Sequence, residues 1–150
     1  MKITNIIFAF LLLAGCAPYP QYCGLLLIEN CTEATITVQS NLICPRAEFP
    51  STIAISSGEC ETVAESLNYP EPSSITIDKF ITNYDDAAVT VTAIIDGVQV
   101  KKSWKYSERN NGQKQLFSLK DCVLGETEDI RKNYTIMYYV FKIHEEDLKE

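Results

Sequence analysis

Asp96-Gly97 sits between two runs of alternating apolar and polar residues, 89–95 and 98–104, and no other segment restricts the fold as tightly. Asp-Gly favours a two-residue type I′ turn, because both central positions need positive φ. Strand side chains alternate between faces, so a one-residue slip would turn every apolar side chain outward. The turn therefore sets a register: Ile95 opposite Val98, Ala93 opposite Val100, Val91 opposite Lys102 and Val89 opposite Trp104. Apolar residues then share one face. Thr92 with Lys101 and Thr90 with Ser103 take the other. Lys102 is the exception, and suits an edge position where its stem can snorkel.

Asn111-Gly112 offers a second turn of this kind. It would place Tyr106 opposite Phe117 and Trp104 opposite Leu119, extending the hairpin into a three-strand meander over residues 89–119. Upstream, the apolar run 25–28 and the alternating run 35–40 flank a polar break and read as a first hairpin. Asn30-Cys31-Thr32 within that break matches a glycosylation sequon but reads as a turn. Ser57-Gly58 lies between short strand-like runs at 52–56 and 61–64, and residues 74–80 alternate again. Residues 134–143 (YTIMYYVFKI) are apolar on both faces, and their β-branched and aromatic content favours a central strand. The charged tail, 144–150, has room for one helical turn. Seven to nine such strands predict an all-β chain, an antiparallel β-sandwich of immunoglobulin-like kind, with a small β-barrel as the alternative.

The N-terminus carries different information. Lys2 precedes an apolar stretch that ends in Leu13-Ala14-Gly15-Cys16. The stretch is well short of the roughly 20 apolar residues a spanning helix needs, and fits the apolar region of a cleaved export signal. An ordinary cut using Gly15 and Ala17 would leave Pro18 directly after it, which is unfavourable. Leu13-Ala14-Gly15-Cys16 resembles the lipobox of bacterial lipoproteins. In that class the thiol after the cut carries a diacylglycerol thioether, and the small residues before it enter the peptidase. The resemblance covers residues 1–16 only. It implies removal of residues 1–15, acylation of Cys16, a lipid-anchored tether over 16–23 and a single β-rich domain over 24–150. By analogy with enteric lipoproteins, an Asp after the lipidated Cys would signal the inner membrane. Ala17 stands there, so the resemblance implies the outer membrane.

Loss of Lys2 leaves 12 basic and 20 acidic residues, a formal charge of 12 − 20 = −8. That disfavours nucleic acid, which needs clustered Lys and Arg, and contact with anionic headgroups beyond the anchor. Five cysteines follow Cys16, an odd number in a chain read as exported, where disulfides are expected. Cys44 with Cys60 is the favoured pair, closing a loop of about 15 residues and contributing about 3 kcal/mol. No C-x-x-C occurs and His144 is the one histidine, so neither a zinc site nor a thioredoxin-like motif is expected.

Reaction chemistry has few candidates. A Ser-His-Asp triad needs a His beside a nucleophile, and His144 lies in the charged tail. Asp78, Asp85, Asp86 and Asp96 could supply the paired carboxylates of a glycan hydrolase, given two of them about 5–10 Å apart. No glycine-rich phosphate loop or EF-hand pattern is present, and no cofactor is expected. Tyr19, Tyr22, Tyr69 and Tyr84 fall in loop-like segments and are the candidate contact surface, since tyrosine joins apolar area to a polar edge. The reading is therefore an envelope-anchored, non-catalytic interaction module for a protein or glycan partner. A carboxylate-dependent hydrolase and a small proteinaceous enzyme inhibitor are the alternatives.

Overall fold

The computed structural model describes residues 19–149; the lipobox, Cys16 and the first residues of the tether, 16–18, lie outside them. The chain is a β-sandwich of two sheets, and neither closes into a barrel. The strands are β1 (Gln21–Asn30), β2 (Ile36–Ser40), β3 (Thr52–Ile55), β4 (Cys60–Glu65), β5 (Ala88–Ile95), β6 (Val98–Lys105), β7 (Val123–Leu124), β8 (Glu128–Arg131) and β9 (Tyr134–Ile143). A short helix, α1 (Glu145–Lys149), follows them. One sheet has the order β4-β1-β9-β7 with β8 also paired to β9; the other is β3-β2-β5-β6. This differs from the immunoglobulin arrangement, in which the second and third strands lie in opposite sheets. Here β2 and β3 pair directly, while β1 runs parallel to β9 along a ten-residue ladder from Gln21↔Tyr134 to Asn30↔Ile143.

The Asp96-Gly97 hairpin forms in the expected register, residue for residue from Ile95↔Val98 to Val89↔Trp104. Asp96 and Gly97 have φ of 54° and 77°, as the turn chemistry requires. Val89, Val91 and Ala93 are buried, and Trp104 joins them in the core. Lys102 does lie on an edge strand, β6.

Three expectations fail. The first hairpin does not exist, because β1 and β2 belong to different sheets. Asn30 is fully buried at the crossing. Its amide donates to the carbonyls of Ala34 (2.8 Å) and Ile55 (2.9 Å), and its Oδ1 accepts from the N–H (3.0 Å) and hydroxyl (2.8 Å) of Thr32. These four bonds hold the chain in a corner that leads it across the sandwich. Second, residues 74–80 form short 3-10 turns at Pro72–Ser74 and Ile77–Lys79 rather than a strand. Ile75 and Phe80 are still buried, so the apolar pattern reports core contacts without strand geometry. Third, the Asn111-Gly112 hairpin is absent. β6 ends in a 3-10 turn at Tyr106–Glu108, and the segment after it plugs the open side between the sheets with Leu116 and Phe117. Tyr106 and Phe117 do meet, edge to face at 5.9 Å, but as packed rings and not as ladder partners.

β9 is central, as its composition predicts, but only one of its faces is fully covered. Tyr139, Phe141 and Ile143 are buried, while Ile136, Tyr138 and Val140 are half-exposed.

The strand directions define two poles. Gln21, Ser40, Glu65, Ala88, Lys105 and Tyr134 lie at the end where the chain enters, the entry pole. Asn30, Ile55, Cys60, Ile95, Val98 and Ile143 lie at the far pole.

Candidate interaction site

The four candidate tyrosines all lie toward the entry pole, in two groups. Tyr22 and Tyr69 are joined backbone to backbone by N–H to carbonyl bonds of 2.7 and 2.8 Å, and both are packed against the core. Tyr84 is exposed, stacks on Tyr106 at 5.4 Å and donates its hydroxyl to the Asp78 carbonyl at 3.0 Å. Tyr19 precedes β1 and is 78% exposed.

The four candidate acids fall at opposite ends of β5, with Asp96 apart from the others. Asp78 sits on the 3-10 turn Ile77–Lys79. The Thr76 hydroxyl (2.5 Å) and the Lys79 ammonium (3.3 Å) occupy its carboxylate and hold its pKa below the usual range. Asp85 and Asp86 lie in the exposed turn before β5, where Asp86 accepts from the Asn83 amide at 3.2 Å. Asp96 is at the other end of β5, about 25 Å away at the usual strand rise. None of the four lines any of the principal concavities. Paired carboxylates need about 5–10 Å between them around one substrate, so Asp96 cannot pair with Asp85 or Asp86.

The cysteines require a correction. Cys44 and Cys60 are free thiols, as are Cys23, Cys31 and Cys122. Cys60 begins β4 at the far pole, whereas Cys44 lies against the backbone of Glu65 at the opposite end of that strand. Five residue steps along β4 separate those ends by about 16 Å, and a disulfide tolerates Cα atoms only up to about 7 Å apart. Sequence separation suggested a loop that the strand between the two residues forbids.

A polar cluster surrounds Cys23. Its buried thiol lies 3.4 Å from the Ser66 carbonyl and 3.5 Å from Glu65 Oε1. Arg46 Nε approaches the same carboxylate at 3.5 Å, Arg46 also bonds Asn68, and the Tyr134 hydroxyl reaches Asn68 Oδ1 at 3.3 Å. Burial and the Glu65 charge push the Cys23 thiol pKa up. Burial also leads the upward shifts of Cys31, Cys44 and Cys60, and it takes Cys122 up to about 12. A nucleophilic cysteine needs the reverse shift. The cluster works as a latch that ties the loop after β2 to the β1–β4 edge. Among the described residues, no group of three His, Cys, Asp or Glu side chains is placed to hold a metal ion.

A different surface has the shape of a contact site. On the outer face of the β3-β2-β5-β6 sheet, toward the far pole, Thr35, Thr37, Thr92, Ile94 and Gln99 line a shallow hollow of about 550 Å³. Ile94 is 66% exposed there. The signal was present in the hairpin register, which puts Ile94 on the polar face with Thr92 and Thr90. The hollow itself needs Thr37 of β2 beside Thr92, a pairing across 55 residues. Comparison of the chain with family profiles, with curated proteins and with solved structures found no match.

Proposed function

We propose that this chain is an envelope lipoprotein, held at the outer membrane by acyl chains on Cys16, and that its β-sandwich is a non-catalytic interaction module for a protein or glycan. The observation that carries the reading is the direction of β1. The strand starts at Gln21, five positions after Cys16 in the sequence, and extends ten residues to Asn30. A tether at Cys16 holds the entry pole at the membrane and presents the far pole about 30 Å further out. The hollow around Ile94 is at that outward end. Its lining of threonine hydroxyls and the Gln99 amide, beside exposed Ile94, suits an uncharged partner surface with hydrogen-bonding groups.

The test is capture from solubilised envelope with the full-length chain, comparing the wild type with Ile94→Asp and with Glu61→Gln on the opposite sheet. A partner recovered by the wild type and by Glu61→Gln, and lost with Ile94→Asp, supports the reading. Equal recovery by all three, or no partner at all, sinks it.

A further inference from the structure

We propose that the entry pole rests on lipid, with Tyr19, Ile43, Leu67 and Tyr84 at the headgroup level of a zwitterionic bilayer. This depends on the lipoprotein reading above and adds a second, membrane-facing surface to it. These four are among the large apolar side chains the fold leaves exposed, and they come from four separate segments: before β1, after β2, after β4 and before β5. Each of the last three is held in place. The Ile43 carbonyl accepts from the Thr82 N–H at 2.8 Å. Leu67 lies between the Ser66–Gly24 bond (2.9 Å) and the Tyr69–Tyr22 pair. The Tyr84 hydroxyl is fixed to the Asp78 carbonyl. The pole is thus a built surface and not a set of loose loops.

The occupant follows from the tether. Five residues from Cys16 to Gln21 span at most about 18 Å when fully extended. An acyl group buried in the leaflet therefore keeps the entry pole within that distance of the interface. Apolar side chains interspersed with tyrosine suit the headgroup region, where one part of the ring is wet and the other is not. The segments that supply Ile43, Leu67 and Tyr84 carry Arg46 and Lys79, but also Glu48, Glu71, Asp85 and Asp86. The pole is not a cationic patch, and a mature chain of net charge −8 is repelled by anionic lipid. A zwitterionic surface carries no such penalty.

The experiment uses the full-length acylated chain bound to phosphatidylcholine–phosphatidylethanolamine vesicles that contain lipid brominated near the headgroup. Indoles are introduced separately by Ile43→Trp, Leu67→Trp and, as the far-pole control, Ile94→Trp; the native Trp104 is buried and contributes a constant background. The expected result is a blue shift, bromine quenching and loss of access to aqueous iodide for the first two substitutions, and none of these for the third. Vesicle-bound protein in which all three indoles stay open to iodide overturns the proposal and leaves the anchor standing. Shielding from iodide without bromine quenching also overturns it, because protein and not lipid then covers the pole. A chain that carries no acyl mass and does not float with vesicles overturns the lipoprotein reading and this proposal together.

Discussion

Trp104 of β6 and Phe141 of β9 meet edge to face between the two sheets, with ring centroids 5.4 Å apart and planes at 80°. The Trp104 indole also donates to the Lys114 carbonyl at 3.2 Å, which ties the segment after β6 to the same junction. Alanine at either ring is expected to cost about 3–5 kcal/mol. The double variant should show a coupling of about 0.5–1.5 kcal/mol beyond area burial. Urea unfolding of the four proteins measures it, and strictly additive losses would show that the rings do not pack as described.

Gly24 tests the packing between β1 and the 3-10 turns. A Cβ there would lie 2.6 Å from Phe80 Cζ and 2.9 Å from Ile75 Cγ2, both on buried side chains. Gly24→Ala should therefore destabilise by about 1–3 kcal/mol, the usual cost of overpacking. An unchanged melting temperature would contradict this contact.

Asn30 makes its four bonds in full burial, and two of them hold the carbonyls of Ala34 and Ile55. Each buried polar group left unpaired costs about 1–3 kcal/mol. Asn30→Ala should be among the most damaging single-residue changes at the far pole. Asn30→Asp should not restore stability, since a carboxylate cannot donate to those carbonyls. Full stability in either variant would show that the corner does not depend on this side chain.

Alkaline pH should weaken the fold through Cys122. Burial raises its folded pKa to about 12 from an ordinary value of 9.0. The folded state therefore holds a proton that the unfolded chain has released. Stability is fully present below about pH 9 and falls as pH rises toward about 12. Cys122→Ala should flatten part of that fall, leaving the smaller contributions of the other buried thiols. A pH profile unchanged by this substitution would place Cys122 in water.

Thiol counting tests the cysteine geometry. Cys23, Cys31, Cys44, Cys60 and Cys122 are all free. Alkylation in denaturant should label these five cysteines equally with and without reductant. Cys60, the exposed thiol, should react first under native conditions. A label count that rises after reduction would reveal a disulfide.

How much was legible in advance depended on how far apart the deciding residues lie. The Asp96-Gly97 hairpin was readable to the residue, because turn chemistry and a period of two act within sixteen neighbouring positions. Residues 134–143 were readable as a central strand for similar reasons, and α1 appeared in the charged tail as expected. The same rule misjudged residues 106–119. Asn111-Gly112 carries hairpin chemistry, and Gly112 does adopt φ of 83°. Yet Leu116 and Phe117 gain more by filling the open side of the sandwich than by extending a sheet edge. Cys44 and Cys60 failed likewise, since closeness along the chain says nothing about a strand lying between them.

The contact surfaces divide in the same way. Ile94 was visible as an apolar residue on the polar face of its hairpin. The gathering of Tyr19, Ile43, Leu67 and Tyr84 at one pole was not, because their segments carry no common pattern.

By itself, then, the amino-acid order determined the all-β class, the β5–β6 register and the strand at 134–143, all set by interactions over a few residues. Tertiary structure alone decided which sheet each strand joined, that β1 lies parallel to β9, and which surfaces face each pole. Those outcomes depend on contacts such as Gln21↔Tyr134, more than a hundred residues apart. Their energy exists only once two distant apolar faces have closed on each other and excluded water.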